Sequence, residues 1–326
     1  MRLSVAVLSA FILTGLPTLA AERADFDTCS KSREPDLTVE SCTRVIDDQT
    51  LAPQFRGRAL FFRSLALETR GDLKGTMADL DEAIRIDPKP SIAYSKRARL
   101  YKKAGDDERA FADMNAAIHH GPTVALFYNR RGVFYLEKNN YEFAVDDFNE
   151  AIRLEPQSVD GYMNRAQAHE NASYRGRAIA DYSEVIRIDP KSLRAYAARG
   201  SMYQWQGDND LAIADYNEIL RLEPKADYTL YWRGIAYRDK GNLDQAIADY
   251  TEALRINPKY APAYHERGVA YRMKGDRDLA IADFREAIRL DPTSSTPSRD
   301  ALDSLGAGEP KTEPEAPKHG VLDLLK

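Results

Sequence analysis

The histidines are the side chains best suited to metal binding or proton transfer, yet their spacing fits neither. The sequence has no His-Glu-x-x-His pair and no Cys/His spacing typical of a zinc site. A glycine-rich phosphate loop and a nucleophile elbow are also missing from it. The five histidines are His119, His120, His169, His265 and His319. The sequence therefore predicts no catalytic residue, no bound metal and no cofactor, so the protein is not expected to be an enzyme.

Two columns of charge are the other candidates, and their chemistry would be ion pairing. An arginine recurs at one constant spacing, and an aspartate follows each arginine at a second constant spacing. The arginines are Arg63, Arg97, Arg131, Arg165, Arg199, Arg233 and Arg267, and the aspartates are Asp79, Asp113, Asp147, Asp181, Asp215, Asp249 and Asp283. Partly buried ion pairs that fix the register between repeats are favoured over a ligand-binding role.

The elements that carry these columns follow from seven prolines that share the spacing of the arginines. A fixed period of about 34 residues is typical of a helical solenoid, in which each unit is one helical hairpin that buries its apolar face only against its neighbours. Proline ends the second helix of each hairpin. These prolines are Pro88, Pro122, Pro156, Pro190, Pro224, Pro258 and Pro292.

Other residue types recur in phase with the prolines when units are counted from residues 57, 91, 125, 159, 193, 227 and 261. The eighth place of each unit is small, the twentieth is alanine in six of seven units, and the eleventh and twenty-fourth are mostly bulky. This pattern resembles the tetratricopeptide repeat over residues 57–292. Leu67 and His169 depart from the usual aromatic eleventh place and indicate weaker repeats.

The resemblance implies an all-α fold, a right-handed superhelical solenoid of antiparallel helix pairs. The predicted units are 57–90, 91–124, 125–158, 159–192, 193–226, 227–260 and 261–292. A degenerate capping repeat is expected at residues 22–56 and a short capping helix at 293–306, where Thr296 and Pro297 resemble a helix start and Gly306 a helix stop. Residues 307–326 are rich in Pro, Glu and Lys and are predicted to be disordered.

The two cysteines fall in the degenerate repeat. When that segment is aligned with the family pattern, Cys29 and Cys42 occupy the eleventh and twenty-fourth places, which face each other across a hairpin. A structural disulfide that staples the N-terminal cap is the favoured interpretation, since no Cys-x-x-Cys spacing indicates redox work. The alternatives are two free buried thiols or a redox pair.

Residues 1–21 have the three-part pattern of a secretory signal peptide. Arg2 precedes an apolar run, and the small residues Ala20 and Ala21 precede Glu22. A membrane anchor is the alternative, but the run is shorter than the roughly 20 apolar residues that a spanning helix needs. The sequence therefore predicts cleavage after Ala20 or Ala21 and a periplasmic or secreted protein with no membrane span.

The charge balance bears on the class of partner. The chain has 46 basic and 51 acidic residues, a formal net charge of −5. An acidic, evenly mixed surface argues against nucleic acid or an anionic membrane as the main partner. The oligomeric state does not follow from composition.

In the tetratricopeptide family, residues at the second, fifth, ninth, twelfth and thirteenth places line the concave groove. The arginine at the seventh place points to nearly the opposite side of its helix. The candidate partner-binding residues are Lys96, Arg99, Lys102, Trp205, Tyr228, Tyr231, Arg238, His265, Arg272 and Met273. This side is basic early in the chain and aromatic late, and Tyr, Trp and Arg concentrate binding energy at interfaces. The alternative is that these aromatic residues pack on neighbouring helices. Relatives that grip a C-terminal carboxylate use Lys at the fifth place and Asn at the ninth, and no ninth place here is Asn.

Three functions remain open from the sequence. The favoured one is a non-catalytic scaffold of the cell envelope that binds a protein or peptide in the groove. The first alternative is a structural subunit of an envelope complex that associates with itself, and the second is a glycan binder or enzyme that uses its aromatic residues as a stacking platform.

Overall fold

The structure is a computed structural model that describes residues 18–307 of the 326-residue chain. Within this range there are seventeen α-helices and no strand, so the all-α prediction is confirmed. The chain divides into two compact units, the first ending at Ala168 and the second beginning at His169. The predicted signal peptide, residues 1–21, lies largely outside the described residues, and so does the predicted tail, residues 307–326.

The first unit consists of helices α1 to α8 and most of α9. These are α1 (Thr18–Lys31), α2 (Pro35–Asp47), α3 (Pro53–Thr69), α4 (Leu73–Ile86), α5 (Ser91–Lys103), α6 (Asp107–His120), α7 (Ala125–Glu137), α8 (Tyr141–Leu154) and α9 (Val159–Asn171). The second unit begins within the last turn of α9. It continues through α10 (Arg175–Ile188), α11 (Leu193–Gln206), α12 (Asn209–Leu222), α13 (Asp227–Asp239), α14 (Leu243–Ile256), α15 (Ala261–Lys274), α16 (Arg277–Leu290) and α17 (Thr296–Ser304). Consecutive helices pack as antiparallel pairs within each unit, as the predicted solenoid class requires.

Local sequence explains where the helices end. Each second helix from α4 to α16 stops two residues before a proline of the periodic series, as α8 stops at Leu154 before Pro156. The fifteenth place of every repeat, in the turn between its helices, has a positive φ. Glycine fills this place in five repeats, whereas Asn139 (φ 60°) and Ser173 (φ 63°) fill it in the other two.

The small eighth place is required by the bulky twenty-fourth place of the same hairpin. A Cβ added to Gly132 would lie 2.6 Å from the ring of Phe148, and one added to Gly234 would lie 2.6 Å from the ring of Tyr250. Phe148 and Tyr250 are both fully buried. The second helices bury one stripe at helical spacing, in α8 the residues Ala144, Asp147, Phe148 and Ala151.

The column arginines connect helices of neighbouring repeats. Arg131 on α7 donates from Nε and Nη2 to the two carboxylate oxygens of Asp147 on α8, at 2.8 and 2.7 Å. Its Nη1 donates to Asn115 Oδ1 on α6, at 2.8 Å. One side chain therefore joins three helices, and we call this arrangement the arginine clip.

The clip recurs with the same geometry along both units. Two-point pairs join Arg63 to Asp79, Arg97 to Asp113, Arg199 to Asp215, Arg233 to Asp249, and Arg267 to Asp283. The Nη1 donors reach Thr43, Asp81, Asn149, Ser183, Asn217 and Thr251 on the preceding second helix. Six of the seven predicted arginine–aspartate pairs are therefore observed, and for these the prediction is confirmed with one correction. The aspartate belongs to the same repeat as its arginine, and Nη1 makes the link between repeats.

Helices flank the seven predicted units at both ends of the described residues. Cys29 and Cys42 form a disulfide between α1 and α2, with a Cα–Cα distance of 4.7 Å. Both cysteines are buried and pack with Val45 and Ala59. At the other end, Ala301 and Leu302 of α17 are buried against α16. Along residues 18–307, the helices are too short or too polar to cross a membrane.

The arginine clip should stabilise the fold more than an exposed ion pair does. Asp147→Ala should lower the free energy of unfolding by about 2–3 kcal/mol, because the Arg131 guanidinium stays half-buried without its carboxylate. Asp147 is 5% exposed. Glu150→Ala, which breaks the exposed pair of Glu150 with Arg153 on the same helix, should cost much less, because solvent screens that pair. Chemical denaturation followed by circular dichroism measures both variants, and equal losses would contradict a special role for the clip.

The disulfide should stabilise only its own end of the chain. Replacing both cysteines with serine removes a crosslink over a sequence separation of 13. This change should lower amide protection in α1 and α2 by about 3 kcal/mol. Amides of α13 to α16 should keep their protection, because a repeat contacts only its neighbours. Hydrogen exchange read by mass spectrometry measures this, with the reduced wild-type chain as control. A uniform loss of protection along the chain would contradict local stabilisation.

Candidate functional site

The predicted partner-binding residues lie on first helices of the repeats, in two groups. Lys96, Arg99 and Lys102 lie on α5 in the first unit. The other seven lie in the second unit: Trp205 on α11; Tyr228, Tyr231 and Arg238 on α13; and His265, Arg272 and Met273 on α15. Each group is described within its own unit.

The basic residues of α5 have carboxylate partners on neighbouring helices. Glu68 of α3 pairs with both Lys96 and Arg99, and its distance to Arg99 Nη2 is 2.8 Å. Lys102 Nζ lies 2.5 Å from Glu137 and 2.9 Å from Asp107. Burial lowers the pKa of Lys96, although its hydrogen bond to Glu68 opposes this. These contacts offset much of the positive charge that the sequence indicated.

A cavity of about 230 Å³ opens beside Arg99 and Lys102. Met114, Val133 and Phe134 form its apolar lining, and Asn129, Arg130 and Glu137 complete it. Arg130 is a residue that the sequence reasoning missed. The available signal was its place in the repeat, since it is sixth in its unit as Lys96 is in the preceding one.

An aromatic cluster occupies the first helix of the sixth repeat in the second unit. We define it as Tyr228, Tyr231 and Trp232 of α13 together with Tyr260, which precedes α15. Its ring centroids lie 5.1 to 6.4 Å apart, from the pair Tyr231–Tyr260 to the pair Tyr228–Tyr231. Tyr228 is 60% exposed, whereas burial raises the pKa of Tyr231 to about 12. The sequence reasoning did not include Tyr260, because it lies outside the family's groove places.

Two further predicted residues in the second unit are open to solvent. Trp205 is 72% exposed, and its ring lies 5.7 Å from the guanidinium carbon of Arg175. Met273 is 54% exposed. Large side chains this exposed contribute little to packing within the chain, so they are available to another molecule.

The remaining predicted residues have partners inside the second unit. Arg238 forms ion pairs with Glu266 and, at 2.8 Å, with Asp239. His265 Nδ1 lies 2.8 Å from the hydroxyl of Ser298 on α17, and burial lowers the pKa of this histidine. Arg272 Nη1 donates to Ser304 Oγ, which also lies on α17, at 3.5 Å. The capping helix therefore engages two of the predicted residues.

Two observations concern metal binding and acid–base groups among the described residues. Across residues 18–307, His, Cys, Asp and Glu form no group of three or more that could hold a metal ion. The hydroxyl of Tyr250 is buried and has no hydrogen-bond partner among the described residues. Burial raises the pKa of this tyrosine, so its hydroxyl stays protonated.

Solved structures of other proteins share this fold. YrrB, described as a TPR protein with an unusual peptide-binding site, is 18% identical with a TM-score of 0.52, and the match covers 58% of this chain and 97% of that one. A tetratricopeptide repeat protein from Parabacteroides merdae is 18% identical with a TM-score of 0.51, covering 76% and 96%. The MamA protein is 23% identical with a TM-score of 0.50, covering 54% and 95%. At these identities the matches show the fold alone.

Comparison with sequence families gives the same assignment. No curated protein sequence matches the chain. Profiles described as tetratricopeptide repeat match residues 125–158, 159–192, 193–225 and 261–294, and a profile described as TPR repeat matches residues 234–275. Four of the matches begin where the periodic register places the start of a unit. The chain therefore carries tetratricopeptide repeats over residues 125–225 and 234–294.

Proposed function

We propose that the protein is a non-catalytic scaffold that binds a protein or peptide partner through the first helices of its repeats. The observation that carries the proposal is the aromatic cluster, in which Tyr228 remains 60% exposed although it contacts two other rings. Aromatic side chains held by their neighbours lose little entropy on binding and supply large contact areas. Trp205, on another first helix of the same unit, is exposed as well.

The fold supports the same proposal. One solved protein that shares it, YrrB, is described as having a peptide-binding site. A stack of helical hairpins offers a long open surface, and extended surfaces of this kind are what repeat proteins use for binding. We carry peptide binding over to this chain as part of the proposal.

We place the protein in the cell envelope or outside the cell. The pattern of residues 1–21 is that of a secretory signal peptide. The disulfide between Cys29 and Cys42 suits the same location, because such bonds persist in oxidising compartments and are rare in the cytosol.

Photo-crosslinking in cells tests the proposal. A benzophenone amino acid in place of Tyr228 should capture a different protein, because this side chain is exposed at the aromatic cluster. The matched control is the same probe in place of Leu279, which is 51% exposed on the second helix α16. The adducts are identified by mass spectrometry. Capture of one foreign protein from position 228 and not from position 279 is the expected result.

Other outcomes of the crosslinking separate the alternatives. Capture of a second copy of the chain would favour self-assembly, and adducts with glycan alone would favour a carbohydrate binder. With a captured partner in hand, the double variant Trp205→Ala and Tyr228→Ala should weaken its affinity at least about tenfold. Both side chains are largely exposed, so the melting temperature should change little. An unchanged affinity would mean that the surface has been placed wrongly.

A further inference from the structure

The cavity of the first unit combines an apolar floor with positive charge at its rim. Its volume of about 230 Å³ is below the ~300–1,000 Å³ usual for small-molecule sites, which makes it the size of a side chain. Met114 and Phe134 are buried beneath it, and Val133 is half-buried. The positive groups that line it are Arg99, Lys102 and Arg130.

Arg130 differs from the other cations around the cavity because its charge has no internal partner. It is half-buried, and its Nη1 donates to the hydroxyl of Ser95 on α5 at 2.6 Å. Among the described residues, no carboxylate forms an ion pair with it. Burial lowers the pKa of this guanidinium, and the positive charge of Arg99 lowers it further.

The neighbouring arginine shows what Arg130 lacks. Arg131 uses three donors on Asp147 and Asn115. Arg99 and Lys102 have Glu68 and Glu137 as counterions. Apart from the Nη1 donor bonded to Ser95, the guanidinium of Arg130 has donors left over, and its side chain lines the apolar cavity. A planar guanidinium of this kind can hold a carboxylate in two-point contact.

On the basis of the proposed function, we propose that this cavity binds an acidic side chain of a partner peptide together with a large apolar side chain one or two residues away in the sequence. The carboxylate of an internal Asp or Glu pairs with Arg130, and a Leu, Met or Phe side chain enters over Met114, Val133 and Phe134. A free carboxylate at a chain end has the same charge. The experiment separates these two sources.

Random dodecapeptides displayed on phage, with no free C-terminus, are selected on the full chain. Selected sequences should contain Asp or Glu within two residues of Leu, Met or Phe. Their acetylated synthetic forms, each made with an amidated and with a free C-terminus, are then titrated by fluorescence anisotropy. Arg130→Gln should weaken binding by about tenfold or more, because the two-point contact is lost. Arg153→Gln, which changes an exposed arginine of the same unit, should leave the affinity unchanged.

A thermodynamic cycle separates a binding role of Arg130 from a structural one. Replacing the acidic residue of the peptide by its amide should weaken binding to the wild-type chain, but Arg130→Gln should add almost nothing for the amide peptide. Equal losses for both peptides would mean that Arg130 acts only through the fold, and would overturn the proposal.

A second variant supplies the missing counterion instead of removing the arginine. Val133→Glu places a carboxylate three residues after Arg130 on the same helix, within reach of an ion pair. It should weaken binding of acidic peptides by about tenfold or more, and thermal unfolding verifies that the chain remains folded. Undiminished binding by this folded variant would contradict the proposed pairing.

The selection also distinguishes failure of this inference from failure of the proposed function. Enriched peptides without an acidic residue would overturn the acidic specificity and leave peptide binding standing. Peptides that bind only with a free C-terminal carboxylate would assign the cavity to a chain end and overturn the proposal. Recovery of no binding peptide, together with no foreign protein crosslinked at position 228, would overturn both.

Discussion

The arginine clip is the interaction on which the rest of this structure depends. A helical hairpin of this length cannot bury enough apolar surface to hold its own geometry, so its two helices and the preceding hairpin need a shared fixed point. In the third repeat, Arg131 provides it by binding Asp147 in its own hairpin and Asn115 in the preceding one. The clip contributes less to net stability than to register, because desolvating both ions offsets most of their attraction.

Because the clip fixes the hairpins through largely buried side chains, the residue types at the groove places of the first helices are free to differ between repeats. In the first unit they carry basic residues that share carboxylates, whereas in the second unit they carry tyrosine and tryptophan. The two surfaces therefore suit different chemistry, one built around the unpaired charge of Arg130 and the other around exposed rings. Nothing in the clip limits this variation, since its arginine points away from these places.

Much of the fold follows from the sequence because its signals are local and periodic. The prolines predict where the second helices stop, and the residues that recur in phase with them predict the antiparallel helix pairs. The places of Cys29 and Cys42 in the repeat pattern predict the disulfide that the structure contains. The candidate site was harder to predict, because its electrostatics depend on contacts between repeats. Glu68 of one repeat pairs with Lys96 of the next, and Ser298 of the capping helix bonds to His265 of the last repeat. Periodicity places such residues on a helix but does not state which neighbour each side chain meets.

The Nη1 donor of each arginine clip makes the junction between repeats tolerant of changes in the number of repeats. It bonds to threonine, serine, asparagine or aspartate on the preceding helix, so the junction between repeats asks only for an oxygen at one position. Duplication or deletion of one whole module rejoins surfaces that already match, and gene rearrangements in steps of this size preserve the architecture. The same tolerance makes the chain suited to engineering by module exchange.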